Sequence, residues 1–311
     1  MKTKKRFISW GHKIHTHTHS YIHVAFGKAF EYLGYEVYYF DDDDDVSNFD
    51  FSDCLFLTEG QVDKNIPIRK DSRYILHNCD AEKYQDTSYL LLQVYTGGAP
   101  GTNGKINDLS GIENRGESLD KCIFYDNSGP VLYQPWATDL LPHEIEKDLI
   151  VVNNKTALFV GSINAGSGGN ENQVRPFAAA CNRNGYEFTG HVTQFGQSGV
   201  KNNQSFEQNR KAIADSEIAP ALVGTWQKEH DYIPCRIFKN ISYGKLGLTN
   251  SSISNYILDG TVIYNDSEEQ LFYDYLSMDV EKQKRLFKSS SKLIAEKHTY
   301  LNRIDTILER F

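Results

Sequence analysis

Five of the ten histidines, His12, His15, His17, His19 and His23, fall within twelve residues near the start of the chain. Imidazole is the side chain that changes charge nearest neutral pH, so such a run can move protons or hold a metal. The spacing allows both. His15-Thr-His17-Thr-His19 alternates in the manner of metal ligands at a strand end. His19, at the start of an expected helix, meets the positive end of the helix dipole, which favours the neutral ring that accepts a proton from a hydroxyl. Glu59 and Asp80 are carboxylate candidates for the same task. Both lie at the carboxyl ends of expected strands, where open α/β sheets hold their ligands. Each of these residues, taken singly, suits a cap or loop hydrogen bond better than catalysis. Asp41 to Asp45 contains the carboxylate pairs that suit magnesium or manganese, but five consecutive aspartates meet that pattern trivially and a solvated acidic turn is the simpler reading.

A second set of residues suits an anion. In the segment Tyr232 to Gly244, Pro234 fits a first helical turn and Gly244 a helix stop. Arg236, Lys239 and Asn240 share one side of that helix, and Ile237, Phe238 and Ile241 supply its buried side. A helix start with two cations attracts a diphosphate through its N–H groups, its dipole and charge-assisted bonds. Two solvated cations on a surface helix are the competing reading. Asn250 and Ser251 follow the next strand and offer further donors at the same sheet edge. Gly161 and Ser162 open a glycine-rich stretch to Asn170 after another strand. It has neither dinucleotide spacing nor a P-loop lysine.

The elements that must position these groups alternate. Strand-like runs at 6–10, 36–40, 54–57, 73–77, 90–95, 122–125 and 131–134 form one series, with a helix near 20–33 stopped by Gly34. A second series has strands at 156–160, 186–189, 217–219, 246–249 and 261–264 and helices near 172–183, 203–214, 234–243 and 267–276. This alternation predicts an α/β fold with two mostly parallel sheets. Residues 1–137 form the expected first domain and 138–153, flanked by Pro135 and Pro142, a stiffened linker. The second domain then covers 154–295, and a helix at 296–311 packs back. The length of 311 residues and 40% apolar content support two ordinary cores. A formal charge of −8 argues against coating nucleic acid, which needs a basic face. Five dispersed cysteines, with no CxxC pair, argue for a reducing, cytoplasmic setting. No run is long enough to span a membrane.

The order Pro135-Trp-Ala-Thr-Asp139, Phe159-Val-Gly-Ser162, Ile233-Pro-Cys-Arg-Ile-Phe-Lys239, Leu248-Thr-Asn-Ser251, Val262-Ile-Tyr264 and His298-Thr-Tyr300 resembles glycosyltransferases of the GT-B fold. It is most similar to the spore-coat CgeB-like group and more distantly to fucosyltransferases. The resemblance covers the C-terminal half well and the N-terminal half in outline. It implies two Rossmann-like domains facing across a cleft, closing about the Pro135–Pro142 connector. The second would hold a nucleoside-diphosphate sugar such as a UDP-sugar or GDP-sugar, and the first a carbohydrate or other hydroxyl acceptor. It implies a diphosphate gripped by Arg236 and Lys239, supported by Asn240, Asn250, Ser251, Gly161 and Ser162, with no cofactor and no metal. The chain lacks the glutamate that many retaining members carry before the phosphate-binding turn, which leaves the anomeric outcome open. Two other readings remain: a metal-dependent hydrolase built on the histidines, and a sugar-nucleotide-binding module without turnover.

Overall fold

The structure, a computed structural model, describes residues 5–13, 19–95, 124–126, 131–166, 168–191 and 204–311. His15, His17, Cys122 and the glycine-rich stretch from Gly97 to Gly104, whose sequence suits a surface excursion more than an acceptor lid, lie outside the described residues. The chain divides into two compact units, one made of residues 1–134 with 300–311 and the other of residues 135–299.

The first unit is built on seven strands: β1 (Arg6–Trp10), β2 (Glu36–Phe40), β3 (Cys54–Glu59), β4 (Arg73–His77), β5 (Ser88–Gln93), β6 (Phe124–Asp126) and β7 (Val131–Tyr133). Their order is β2-β1-β3-β4-β5-β7-β6, and every pairing is parallel except β6 with β7. The near-continuous apolar strings follow from this arrangement, since a parallel sheet is covered on both faces; all six residues of β3 are buried. Alternation along each strand divides the side chains between the faces. Ile8, Trp10, Cys54, Phe56, Tyr74 and Leu76 enter one core cluster. Phe7 points the other way and stacks on Phe30 of helix α1 (Ser20–Tyr32), with ring centroids 4.0 Å apart. By register, Ser9, Glu59 and His77 belong to this second face, which α1 covers. α1 buries Ile22, Ala25, Phe26, Ala29 and Phe30 at three- and four-residue spacing, and Gly34 turns out of it at φ +85° as expected.

In the second unit β8 (Thr156–Val160) pairs in parallel with β9 (Glu187–His191), and β10 (Leu248–Thr249) with β11 (Ile263–Tyr264). The strand expected at 217–219 is reduced to isolated bridges from Ile218 to Ala157 and from Ala221 to Thr249. Pro220 between them has no N–H to give to a ladder. The helices are α2 (Glu171–Arg183), α3 (Phe206–Asp215), α4 (Thr225–Glu229), α5 (Cys235–Ser242), α6 (Ser252–Ile257), α7 (Glu268–Ser277) and α8 (Val280–Lys297). Ser205, Ser251, Ser267 and Asp279 each cap a helix by accepting from the amide three residues on.

The start of the segment expected to form a linker, with the residues just before it, is packed. Trp136, Ala137, Thr138, Leu140 and Leu141 are buried, the Thr138 N–H donates to the His298 carbonyl, and Thr138 bridges Thr299. The final helix, α9 (Tyr300–Leu308), belongs to the first unit, where Tyr300 lies 4.4 Å from Phe26 between ring centroids. Cys54, Cys79, Cys181 and Cys235 are free thiols. No helix among the described residues is long and apolar enough to cross a membrane. Phe26 is fully buried between α1 and α9, so Phe26→Ala should lower the unfolding free energy by about 3–5 kcal/mol. Urea denaturation against an exposed control, Tyr32→Ala, checks it.

Candidate functional site

The chain leaves β1 at Gly11, whose φ of +90° and contact with Val62 exclude a side chain; a Cβ there would overlap the Val62 side chain and carbonyl. This turn carries His12 back over the sheet edge. α1 then begins at Ser20, with His19 as its N-cap residue. β1 and β3 are neighbours, with β2 on the far side of β1, so the sheet's topological switch lies between them. Glu59, the last residue of β3, therefore stands beneath the β1–α1 connection. Its Oε2 accepts from His12 Nε2 at 2.5 Å and from His19 Nδ1 at 2.8 Å. His77 is Glu59's register partner on β4, and its ring centroid lies 5.0 Å from that of His19. His23 reaches in from the buried side of α1, 4.6 Å from the His12 centroid, with its Nδ1 3.3 Å from Ser9 Oγ.

His12, His23, Glu59 and His77 are all 1% exposed, and the His19 side chain is 23% exposed. Burial pushes the Glu59 carboxyl up, but the bonds from His12 and His19 outweigh it and hold the group well below the usual carboxylate range. Burial, and then the neighbouring His12 and His19, push His23 well below its ordinary value. The result is a buried carboxylate that fixes two imidazoles. With Nδ1–H directed at Glu59, the His19 ring is oriented by a carboxylate.

Sequence reasoning singled out His19 and Glu59 separately and named His12, His23 and His77 only as members of a histidine set that could serve a base or a metal, without joining them to Glu59. The available signal was the position of each at the end of a strand or one helical turn beyond His19. Asp80 is exposed and caps the short turn at Glu82–Tyr84 by accepting from the Glu82 amide at 3.0 Å. The aspartate run is also spoken for: Asp41 and Asp44 pair with Lys13 at 2.9 and 2.6 Å, and Asp42 accepts from Trp10 Nε1 and the Asn65 amide.

In the second unit, Arg236 lies at the carboxyl edge of β8. Its Nε donates to the Val160 carbonyl, its Nη1 donates to the Leu222 carbonyl at 2.9 Å, and its guanidinium lies 4.1 Å over the Phe159 ring. Gly161, at φ +136°, leaves the space Arg236 Nη2 occupies. A guanidinium carries five N–H groups, so three remain for a ligand after the two carbonyl bonds. Burial lowers the pKa of this cation, which favours an anion beside it. The Gly161–Asn170 loop is tied down by Asn170, which donates to the Ser162 carbonyl and accepts from the Asn164 amide.

Four other residues expected at this site have interior duties. Lys239, 13% exposed, pairs with Asp139 at 3.6 Å, and Tyr243 donates to the same carboxylate. Asn240 is buried and donates to the Ala219 carbonyl at 2.8 Å. Asn250 makes both hydrogen bonds of the Val223 peptide, each at 2.9 Å, and donates to Glu268 at 2.7 Å. Ser251 caps α6. Buried amides and hydroxyls must be bonded, and here the protein's own backbone supplies the partners.

Solved structures with a similar α/β fold include glucosyltransferases. An alpha-glucosyltransferase in complex with UDP matches with a TM-score of 0.62 and 11% identity over 98% of this chain and 100% of its own. An alpha-glucosyltransferase with UDP and a 13-mer DNA containing a HMU base matches at 0.64 and 11% over 99% and 100%. One with UDP-glucose and DNA containing an abasic site matches at 0.58 and 10%, again over 99% and 100%. No protein-family model matches the chain and no curated protein matches it, so the likeness to spore-coat and fucosyl transferases rests on motif order alone.

The cluster sets a pH dependence. A histidine held below 6.5 in the folded state takes up its proton on unfolding, so unfolding binds protons and stability falls as pH drops below about 6.5. Glu59, held below 4.5, adds a loss in the same direction at lower pH. Unfolding free energies from urea titrations between pH 7.5 and pH 5 should be near level above about 6.5 and then decline by up to about 1.4 kcal/mol per pH unit per proton. His23→Gln should flatten that limb.

Proposed function

We propose that the protein transfers a sugar from a nucleoside-diphosphate sugar to an acceptor hydroxyl. The observation that carries this is Arg236, fixed by two carbonyls and the Phe159 ring beside side-chain-free Gly161, in a fold shared with structures that hold UDP. Three open N–H groups on a rigid cation suit diphosphate oxygens, and their hold strengthens as the leaving group gains charge. This cation does the work that a divalent ion does elsewhere, so donor binding needs no metal. In the first unit, His19 Nε2 takes the acceptor proton while Glu59 holds the ring and stabilises the imidazolium.

A nucleic-acid hydroxyl is a specific acceptor class, favoured by the DNA in complex with the solved neighbours. A chain of charge −8 then has to meet DNA through a local contact and not a basic face. The alternative is a carbohydrate hydroxyl. Activity on hydroxymethyl-pyrimidine DNA, with none on an oligosaccharide panel, selects the first.

Thermal shift with UDP, GDP, CMP and dTDP should show stabilisation by one nucleotide diphosphate without added metal. Arg236→Ala should weaken that ligand by about 10- to 100-fold; unchanged affinity removes Arg236 from the donor site. His19→Gln should lower kcat by about 10²–10⁴-fold and leave donor affinity intact. Sugar transfer measured with radiolabelled donor separates that outcome from a binding-only module, and survival of transfer in a chelator separates it from a metal-dependent hydrolase.

A further inference from the structure

His12, His19 and Glu59 each offer one donor atom, and these atoms lie within 4.8 Å of one another. A single oriented base needs one imidazole and one carboxylate. Here two imidazoles converge on one buried carboxylate oxygen, and two more, His23 and His77, pack around them. We propose that His12, His19 and Glu59 form a binding site for a divalent transition metal of the zinc type, and that its occupancy blocks the proton-accepting role of His19.

The donor set decides the class of ion. Magnesium and calcium prefer oxygen ligands, whereas imidazoles with one carboxylate suit zinc, cobalt or nickel. Three protein ligands also leave a fourth position for a solvent or substrate oxygen. Around an ion with bonds of about 2.0–2.2 Å, neighbouring ligand atoms stand about 3.3 Å apart. The present separations of 2.5 and 2.8 Å open to that with ring movements below about 1 Å. The larger opening, about 0.8 Å, falls on the His12 pair and the smaller, about 0.5 Å, on His19, the more exposed ring. The N–H that each ring now directs at Glu59 moves to its other nitrogen in the metal-bound form. Nε2 of His19 then carries a proton and no longer accepts one from a hydroxyl. The block rests on the sugar-transfer reading; the metal site itself does not.

The test uses the full chain, stripped with a chelator and titrated with cobalt(II), whose visible bands report imidazole and carboxylate ligation in a four-coordinate site. Zinc then competes against a chromophoric chelator. One equivalent per chain is expected, with affinity at least 100-fold weaker in Glu59→Gln and His12→Asn and unchanged in the exposed control His143→Asn. Circular dichroism confirms folding of each variant. If the buried substitutions prevent folding, His19→Asn carries the comparison. Binding that is substoichiometric, or indifferent to all three ligand variants, overturns the site. Zinc should inhibit sugar transfer over the same concentration range in which the site fills; full activity with a filled site overturns the block. A chain that binds metal as expected and shows no transfer at all refutes the proposed function and leaves the site standing.

Discussion

A carboxylate sealed from water by its own protein is unfavourable unless its charge is met, and Glu59 at 1% exposure depends on His12 and His19 to meet it. Much of the first unit's edge geometry answers that requirement. Gly11 lets the chain reverse without colliding with Val62, and Gly60 lets it pass the Asn78 carbonyl, where a Cβ would not fit. The parallel register sets Glu59 beside His77, and α1 presents His23 to the same face. A one-residue slip of β3 would turn Glu59 to the opposite face, among Trp10, Phe56 and Tyr74, with no imidazole in reach.

The second unit solves a different problem with a cation. Arg236 is held by carbonyls at the ends of two chain segments and by an aromatic face, so its geometry is set before any ligand arrives. That preorganisation uses Gly161 as a cavity and not as a hinge. The two sites are therefore alike in principle: each charged group is fixed by partners that leave part of its bonding capacity available.

Much of the fold was legible in the chain because its signals are local. Apolar runs marked β1 to β5, Gly34 marked the end of α1, and Ser267 the start of α7. β10 and β11 proved shorter than their apolar runs, since pairing depends on a neighbour and not on composition. His19 and Glu59 could be named one at a time, but their bond depends on β3 lying next to β1, which only the sheet order decides. Asn240, Asn250 and Ser251 misled for the opposite reason. A polar residue at a sheet edge looks the same in sequence whether it awaits a ligand or binds a buried peptide, and these three do the latter.

The return of α9 to the first unit has a consequence for the order of synthesis. The sheet that leaves the ribosome first lacks the helix that covers Phe26 until residues 300–308 have emerged, after the whole of the second unit. Of the two units, the one begun first is thus completed last, and Phe26 on α1 lacks its contact with Tyr300 until then.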